Sequence, residues 1–185
     1  MDRRIFIVGF MGSGKSTVAQ ALARRLRVAM IDLDNEITRV EGRSPKQIIE
    51  EEGETEFRQI ETQVLERVLN ENAARVIALG GGAWPVPINR DLITKDGALS
   101  VWLNAPFELC WQRIGASVHE RPLARKESET RSLYEKRRTF YESAELHVAT
   151  SEGKSAAQIA NEIIQALRTS ESNSGTTLEQ SEPLS

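Results

Sequence analysis

The 185-residue chain has little of what secreted and membrane proteins usually carry. It contains one cysteine, Cys110, so no internal disulfide can form. No apolar run is long enough to span a bilayer, and the run after the first four residues is too short for a signal peptide. These absences favour a reducing compartment, and they predict a cytoplasmic protein with no membrane partner.

The chain also lacks an excess of positive charge. Its 24 Lys and Arg residues face 27 Asp and Glu residues, for a formal charge of -3, so nothing suggests a nucleic-acid partner. The length suits one well-buried domain, which we place at residues 1–168, and a monomer is expected. Residues 169–185 are rich in Ser, Thr and Glu, and we predict a disordered tail there.

Residues 9–16 fit the pattern G-x-x-x-x-G-K-[ST] at every fixed position. A short apolar run precedes them, and apolar residues at helical spacing follow. Such glycines let backbone N–H groups face a polyphosphate, to which Lys15 adds a charge, and the Ser16 hydroxyl can bind Mg²⁺. A strand-to-helix turn without a ligand would need glycine but not Lys15 and Ser16. The residues of this loop predicted to bind the polyphosphate, which the family resemblance described below identifies as that of ATP, are Gly12, Ser13, Gly14, Lys15, Ser16 and Thr17.

Short apolar runs alternate with helical patterns along the rest of the chain. Strands are predicted at residues 4–8, 28–31, 75–79, 98–103 and 146–148, and a long amphipathic helix at residues 54–70. Ser44, Pro45 and Gln47 form the pattern of a capping box with proline at the first helical position. The alternation predicts an α/β protein with a buried parallel sheet, in which ligands bind beyond the carboxyl ends of the strands.

Carboxylates and glycines follow the predicted strands. Asp32 ends the second strand, where it could be a solvated side chain or could order Mg²⁺ beside the phosphate loop. Asp34 could be the N-cap of the next helix, and it could also orient and deprotonate a hydroxyl. The third strand ends in three glycines, residues 80–82, which suit the close approach of a small polar substrate.

Basic residues outnumber acidic ones between residues 113 and 138. Residues 115–129 have no apolar periodicity and predict a mobile polar lid, from which Arg121 could neutralise phosphate charge. Arg58, in the long helix, could simply pair with Glu54 or Glu61 on the same helix.

Taken together, these residues resemble the shikimate kinase family. The specific set is the phosphate loop, Asp32 and Asp34, the Phe57-Arg58-x-x-Glu61 segment, the Gly80-Gly81-Gly82-Ala83 turn, Arg121-Pro122-Leu123, and Arg137 with Tyr141 four residues later. The resemblance implies a three-layer α/β/α fold with a five-stranded parallel sheet, of the P-loop NTPase, nucleoside monophosphate kinase-like class, with a mobile lid.

The resemblance also implies a role for each matched residue. Lys15 and Arg121 would contact the ATP phosphates, Ser16 and Asp32 would organise Mg²⁺, and Asp34 would deprotonate the 3-hydroxyl of shikimate. The implied shikimate-binding residues are Asp34, Arg58, Gly80, Gly81, Gly82 and Arg137, with Glu61 holding Arg58 and Arg113 lying against adenine. Leu33, where the family usually has threonine, and the bulky segment that begins at Trp84 depart from the pattern.

Two other functions are considered. A gluconate kinase-like enzyme also phosphorylates a hydroxylated carboxylate, but those relatives lack the glycine turn and the Phe57-Arg58-x-x-Glu61 pattern. A catalytically silent nucleotide-binding module is the other; however, such a module would be expected to have lost Lys15, Asp34 or Arg58, and all three are present.

Overall fold

The core of the molecule is a parallel β-sheet. The computed structural model describes residues 3–116 and 127–174. In that part of the chain the strands are β1 (Ile5–Val8), β2 (Met30–Asp32), β3 (Val76–Ala78), β4 (Leu99–Asn104) and β5 (Leu146–Ala149). Their order across the sheet is β2-β3-β1-β4-β5, and every neighbouring pair is parallel. The predicted five-stranded parallel sheet is confirmed.

Helices connect the strands. They are α1 (Lys15–Leu26), α2 (Leu33–Glu41), α3 (Pro45–Glu52), α4 (Glu54–Glu71), α5 (Pro87–Lys95), α6 (Phe107–Ala116), α7 (Glu127–Tyr141) and α8 (Ala156–Ser174). Helix α8 continues past residue 168, so the start of the predicted tail is helical. The rest of that tail, and most of the predicted lid, lie outside the described residues. No helix of the described ranges is long and apolar enough to cross a membrane.

Strand β1 shows how the sheet separates two apolar layers. Ile5 and Ile7 pack on one face with residues of α1 and α8, whereas Phe6 and Val8 pack on the other with residues of α2, α4, α6 and α7. Successive side chains of a strand point to opposite faces, and all four of these side chains are buried. The predicted three-layer α/β/α arrangement is therefore present.

Helix α3 begins at the predicted capping box. The Ser44 hydroxyl accepts a hydrogen bond from the Gln47 backbone N–H at 3.3 Å, and the Gln47 side chain accepts one from the Ser44 N–H at 2.8 Å. Gly42 ends the preceding helix in the left-handed conformation, with φ of 68°, which glycine adopts without steric cost. These caps determine where α2 ends and where α3 begins. The first turn of α3 borders the cleft described next.

Candidate active site

A cleft of about 820 Å³ opens at the carboxyl ends of β1, β2 and β3. Its walls come from the phosphate loop, the end of β2, the glycine turn after β3, and the helices α3, α4, α6 and α7. Among its lining residues are Lys15, Ser16, Asp32, Asp34, Arg58, Glu61, the three glycines 80–82, Arg113 and Arg137. Thus the residues predicted from six separate segments of the sequence share one cavity.

The phosphate loop joins β1 to α1 in the expected conformation. Gly14 precedes the helix with φ of 94°, in the left-handed region. A Cβ on Gly12 would lie 2.6 Å from the Cys110 carbonyl oxygen of α6, so only glycine fits at this position. The Lys15 ammonium donates a hydrogen bond to the Phe10 carbonyl at 2.9 Å. The loop therefore lies folded against α6 with its lysine at the mouth of the cleft.

Asp32 uses its two carboxylate oxygens in different directions. Oδ2 accepts a hydrogen bond from the Ser16 hydroxyl at 2.5 Å. Oδ1 accepts from the backbone N–H groups of Asp34, at 3.1 Å, and Asn35, at 3.4 Å, and so caps α2. The alternative in which Asp34 is the N-cap is wrong, because the cap is Asp32. The Asp34 side chain instead lines the cleft.

The Ser16–Asp32 pair has the chemistry of a partial Mg²⁺ site. Within the described ranges, no group of three or more His, Cys, Asp or Glu side chains could hold a metal. Mg²⁺ in nucleotide sites is commonly held by one or two protein oxygens, with phosphates and water completing its octahedron. A hydroxyl and a carboxylate beside the phosphate loop fit that pattern.

The glycine turn at residues 80–82 is packed on three sides. A Cβ on Gly80 would lie 2.6 Å from Asp34 Oδ1 and 2.9 Å from Glu61 Oε1. On Gly81 it would lie 3.1 Å from the Met11 backbone nitrogen, and on Gly82 it would overlap the Arg58 guanidinium. The absence of side chains here is therefore a spatial requirement, since the turn passes between the carboxylates, the phosphate loop and an arginine.

Arg58 pairs with both acids that the sequence offered as alternatives. Its guanidinium donates to Glu61 at 2.6 Å and to Glu54 at 3.1 Å, while lining the cleft. Although burial opposes it, these two carboxylates raise the pKa of Arg58 above its ordinary value. Glu61 is fully buried, and burial raises its pKa to about 7 against the opposing effect of Arg58. In the described part of the chain, Glu61 Oε1 has no hydrogen-bond partner.

Arg137 is the second arginine of the cleft, and unlike Arg58 it is not in an ion pair within the described residues. It is 8% exposed, and within the described residues it forms no ion pair or hydrogen bond. Burial lowers the pKa of Arg137 and the positive charge of Arg58 lowers it further, against the opposing effects of Tyr141, Glu54 and Glu61. A buried guanidinium that is not in an ion pair is electrostatically unfavourable, and Glu54 and Glu61 act on Arg137 only at a distance, so this end of the cleft favours an anion.

Arg113 lies on the opposite side, at the phosphate loop. Its Nη1 approaches the Gly12 carbonyl at 3.3 Å and the Ser13 carbonyl at 3.5 Å. This places α6 and the loop in contact, as the lining of the cleft also indicates. Arg121, predicted to contact phosphates, lies outside the described residues.

Comparison with known proteins identifies the family of the chain. The sequence model of shikimate kinase matches residues 11–168 of the chain. A shikimate kinase of Persephonella marina is 40% identical over 167 residues, which span 90% of this chain and 99% of the relative. The chain belongs to the shikimate kinase family.

Solved structures extend the comparison. A shikimate kinase from Acinetobacter baumannii in complex with shikimate, at 35% identity, superposes with a TM-score of 0.85 over 91% of this chain and 94% of that one. A gluconokinase from Sinorhizobium meliloti matches at 18% identity with a TM-score of 0.57, over 92% of this chain and 94% of that one. The second likeness shows the shared P-loop kinase fold and says nothing about a gluconate substrate.

Two residues whose side chains hold the segments around the site in place were not predicted from the sequence. Asn89 is fully buried; its side chain donates to the Ala83 carbonyl at 3.0 Å and accepts from the Thr62 hydroxyl at 2.8 Å. Tyr141 was singled out by its spacing from Arg137 but was given no role. Its hydroxyl donates to the Gly81 carbonyl at 2.5 Å. The contacts of Asn89 with Thr62 and of Tyr141 with Gly81 have no local sequence signal, because they join residues 27 and 60 positions apart.

Proposed function

We propose that this chain transfers the γ-phosphate of ATP to the 3-hydroxyl of shikimate, giving shikimate 3-phosphate and ADP. One observation carries the proposal. A single cleft has a phosphate-binding loop at one end and two largely buried arginines at the other, with Asp34 beside the glycine turn between them. That arrangement suits an acceptor with a carboxylate at one end and a hydroxyl directed at a nucleotide.

At the nucleotide end, backbone N–H groups of residues 12–17 bind the phosphates and Lys15 adds positive charge. Ser16 and Asp32 are the residues that would hold Mg²⁺, which when bound neutralises charge on the phosphates. Arg113, which contacts the loop at the Gly12 and Ser13 carbonyls, flanks the nucleotide. Arg121 is proposed, from its motif alone, to reach the phosphates from the lid.

At the acceptor end, Arg58 and Arg137 bind the carboxylate. Charge-assisted hydrogen bonds of this kind contribute about 1.5–3 kcal/mol each. Glu61 holds Arg58 in place through the 2.6 Å ion pair. The turn at residues 80–82 leaves room for the ring, because a side chain on Gly80 would meet Asp34 and Glu61, and one on Gly82 would meet Arg58.

Asp34 performs the proton transfer. Its carboxylate accepts the proton of the attacking hydroxyl, whose oxygen bonds to the γ-phosphorus as the bond from that phosphorus to the β,γ-bridging oxygen breaks and ADP leaves. Its place on the first turn of α2 is fixed by the cap that Asp32 makes on its backbone N–H. One hydrogen bond thus links Asp34, the proposed general base, to Asp32, a proposed Mg²⁺-binding residue.

The test is ADP release by the purified protein with ATP and Mg²⁺, comparing shikimate, gluconate and no acceptor. Turnover only with shikimate is expected. Turnover with gluconate would transfer the assignment to a sugar-acid kinase. ATP binding without turnover on any acceptor would favour the silent module. A monomeric state, a cytoplasmic location and the lack of a nucleic-acid partner stay predictions from the sequence.

A further inference from the structure

Three glycines in succession make the turn at residues 80–82 intrinsically flexible, because glycine has the largest backbone entropy of any residue. Yet the turn must hold its place between Asp34, the phosphate loop and Arg58. One hydrogen bond within the turn, from the Ala83 N–H to the Gly80 carbonyl at 3.1 Å, closes it locally. Its placement relative to the rest of the site must come from contacts outside the turn.

Helix α7 supplies two of those contacts. The Tyr141 hydroxyl donates to the Gly81 carbonyl at 2.5 Å, and the Trp84 indole N–H donates to the Phe140 carbonyl at 2.9 Å. Tyr141 and Trp84 are 2% and 3% exposed, so water competes little for either hydrogen bond. The C-terminal end of α7 therefore donates one hydrogen bond to the turn and accepts one from the segment that follows it.

Arg137 lies one helical turn before Tyr141 on the same helix, and residues four apart share a helix face. Both line or border the cleft: Arg137 is among its walls, and Tyr141 contacts the middle glycine of the turn. Because Arg137 forms no ion pair or hydrogen bond within the described residues, its guanidinium depends on the helix backbone for its position.

We propose that Tyr141 is a positioning residue that fixes the glycine turn to α7, so that Arg137 and the turn form one rigid wall of the acceptor site. This inference rests on the proposed function, since it concerns how shikimate is bound. Tyr141 does not touch the substrate. Its effect passes through the Gly81 peptide and the placement of α7.

The chain offers a matched control on the same helix. Tyr134 is also buried, and its hydroxyl also donates to a main-chain carbonyl, that of Ala105, at 2.8 Å. Ala105 follows β4 and lies outside the glycine turn. Tyr141→Phe and Tyr134→Phe therefore make the same chemical change on the same helix, and only the first releases the turn.

The experiment measures KM for shikimate, KM for ATP and melting temperature for the wild type and both variants. Tyr141→Phe is expected to raise KM for shikimate roughly 3- to 10-fold, the loss of one hydrogen bond, and to leave KM for ATP unchanged. Tyr134→Phe is expected to leave both constants unchanged. Equal shikimate KM in both variants, or a rise of both KM values together in Tyr141→Phe, would overturn the inference.

Two further arms separate failure of the inference from other failures. If Tyr141→Phe folds poorly, Trp84→Phe removes the second link, and it is expected to raise KM for shikimate in the same direction; no rise would count against the inference. Calorimetric binding of shikimate in the presence of ADP gives a readout that does not need turnover. Wild-type protein that neither binds nor turns over shikimate would refute the proposed function, whereas normal wild-type activity with an unaltered Tyr141→Phe refutes only the positioning role.

Discussion

Replacement of Gly82 by alanine tests whether the turn is glycine-rich in order to leave space for Arg58. Gly82 is not among the glycines with positive φ, so alanine is compatible with its backbone. The added Cβ would overlap the Arg58 guanidinium, which is the far end of a flexible side chain. Arg58 is therefore the group expected to move, and the backbone of the turn is expected to stay.

The magnitude follows from what Arg58 loses. Displacement removes one charge-assisted hydrogen bond to the acceptor carboxylate, about 1.5–3 kcal/mol, which corresponds to a rise in KM for shikimate of roughly 10- to 150-fold. The broken pair leaves Glu61 buried without Arg58. Because burial already raises the pKa of Glu61 to about 7, this carboxyl can become neutral near that pH. The loss of stability should stay on the order of 1–2 kcal/mol, or a few degrees in Tm.

The assay is steady-state kinetics at about pH 7 together with thermal unfolding. Gly115→Ala is the matched control, because among the described residues nothing lies within 4 Å of a Cβ on Gly115 of α6; it should leave KM for shikimate unchanged and raise Tm slightly. A KM for shikimate in Gly82→Ala within twofold of the wild type would refute the reasoning. A large loss of Tm would mean that the turn, and not Arg58, had moved.

Three other outcomes are expected. Asp34→Asn should lower kcat at least about 10²-fold, the usual minimum for loss of a general base, while calorimetric ADP affinity stays within a few-fold; turnover close to wild type would remove Asp34 from the chemistry. Glu61→Gln should gain stability relative to the wild type as the pH rises. The pKa of Glu61 is higher in the folded state than in the unfolded state, so the wild type loses stability as the pH rises from the unfolded-state pKa near 4.5 to about 7. Glutamine does not titrate and shows no such loss. A Tm difference between the two proteins that is constant from about pH 5 to about pH 8 would contradict this. A chain ending after Arg168 should keep Tm within about 2 °C and keep full activity, because the last packed apolar side chain of α8 is Leu167; a larger loss in either measurement would show that the removed residues pack.

Local signals in the sequence predicted the parts of the fold that local physics determines. The capping box of Ser44 and Gln47 formed as expected because its donors and acceptors are three residues apart. The apolar stripe of α4 is buried as its spacing indicated. The phosphate loop was predicted for the same reason, since its glycines, lysine and serine lie within one short stretch of the chain.

The sequence was less informative wherever two groups competed for one role. Asp32 and Asp34 are both able to cap α2, and nothing local says that Asp32, at the end of β2, would make the bonds. Glu54 and Glu61 flank Arg58 at helical spacing, and the structure uses both. Contacts between distant segments, such as Tyr141 with Gly81, depend on how the helices pack on the sheet. Hydrophobic periodicity carries no information about such pairs.

The divided use of Asp32 restricts how this protein can change. Asparagine or serine would still cap α2 but would remove the negative charge that faces Ser16. Glutamate would keep the charge, but it is a poor capping residue and its carboxylate sits one methylene farther from the backbone. No single substitution improves one task without weakening the other. Selection for turnover should therefore reject substitutions at Asp32, whereas selection for thermal resistance alone should accept asparagine or serine and reject residues that cannot cap α2.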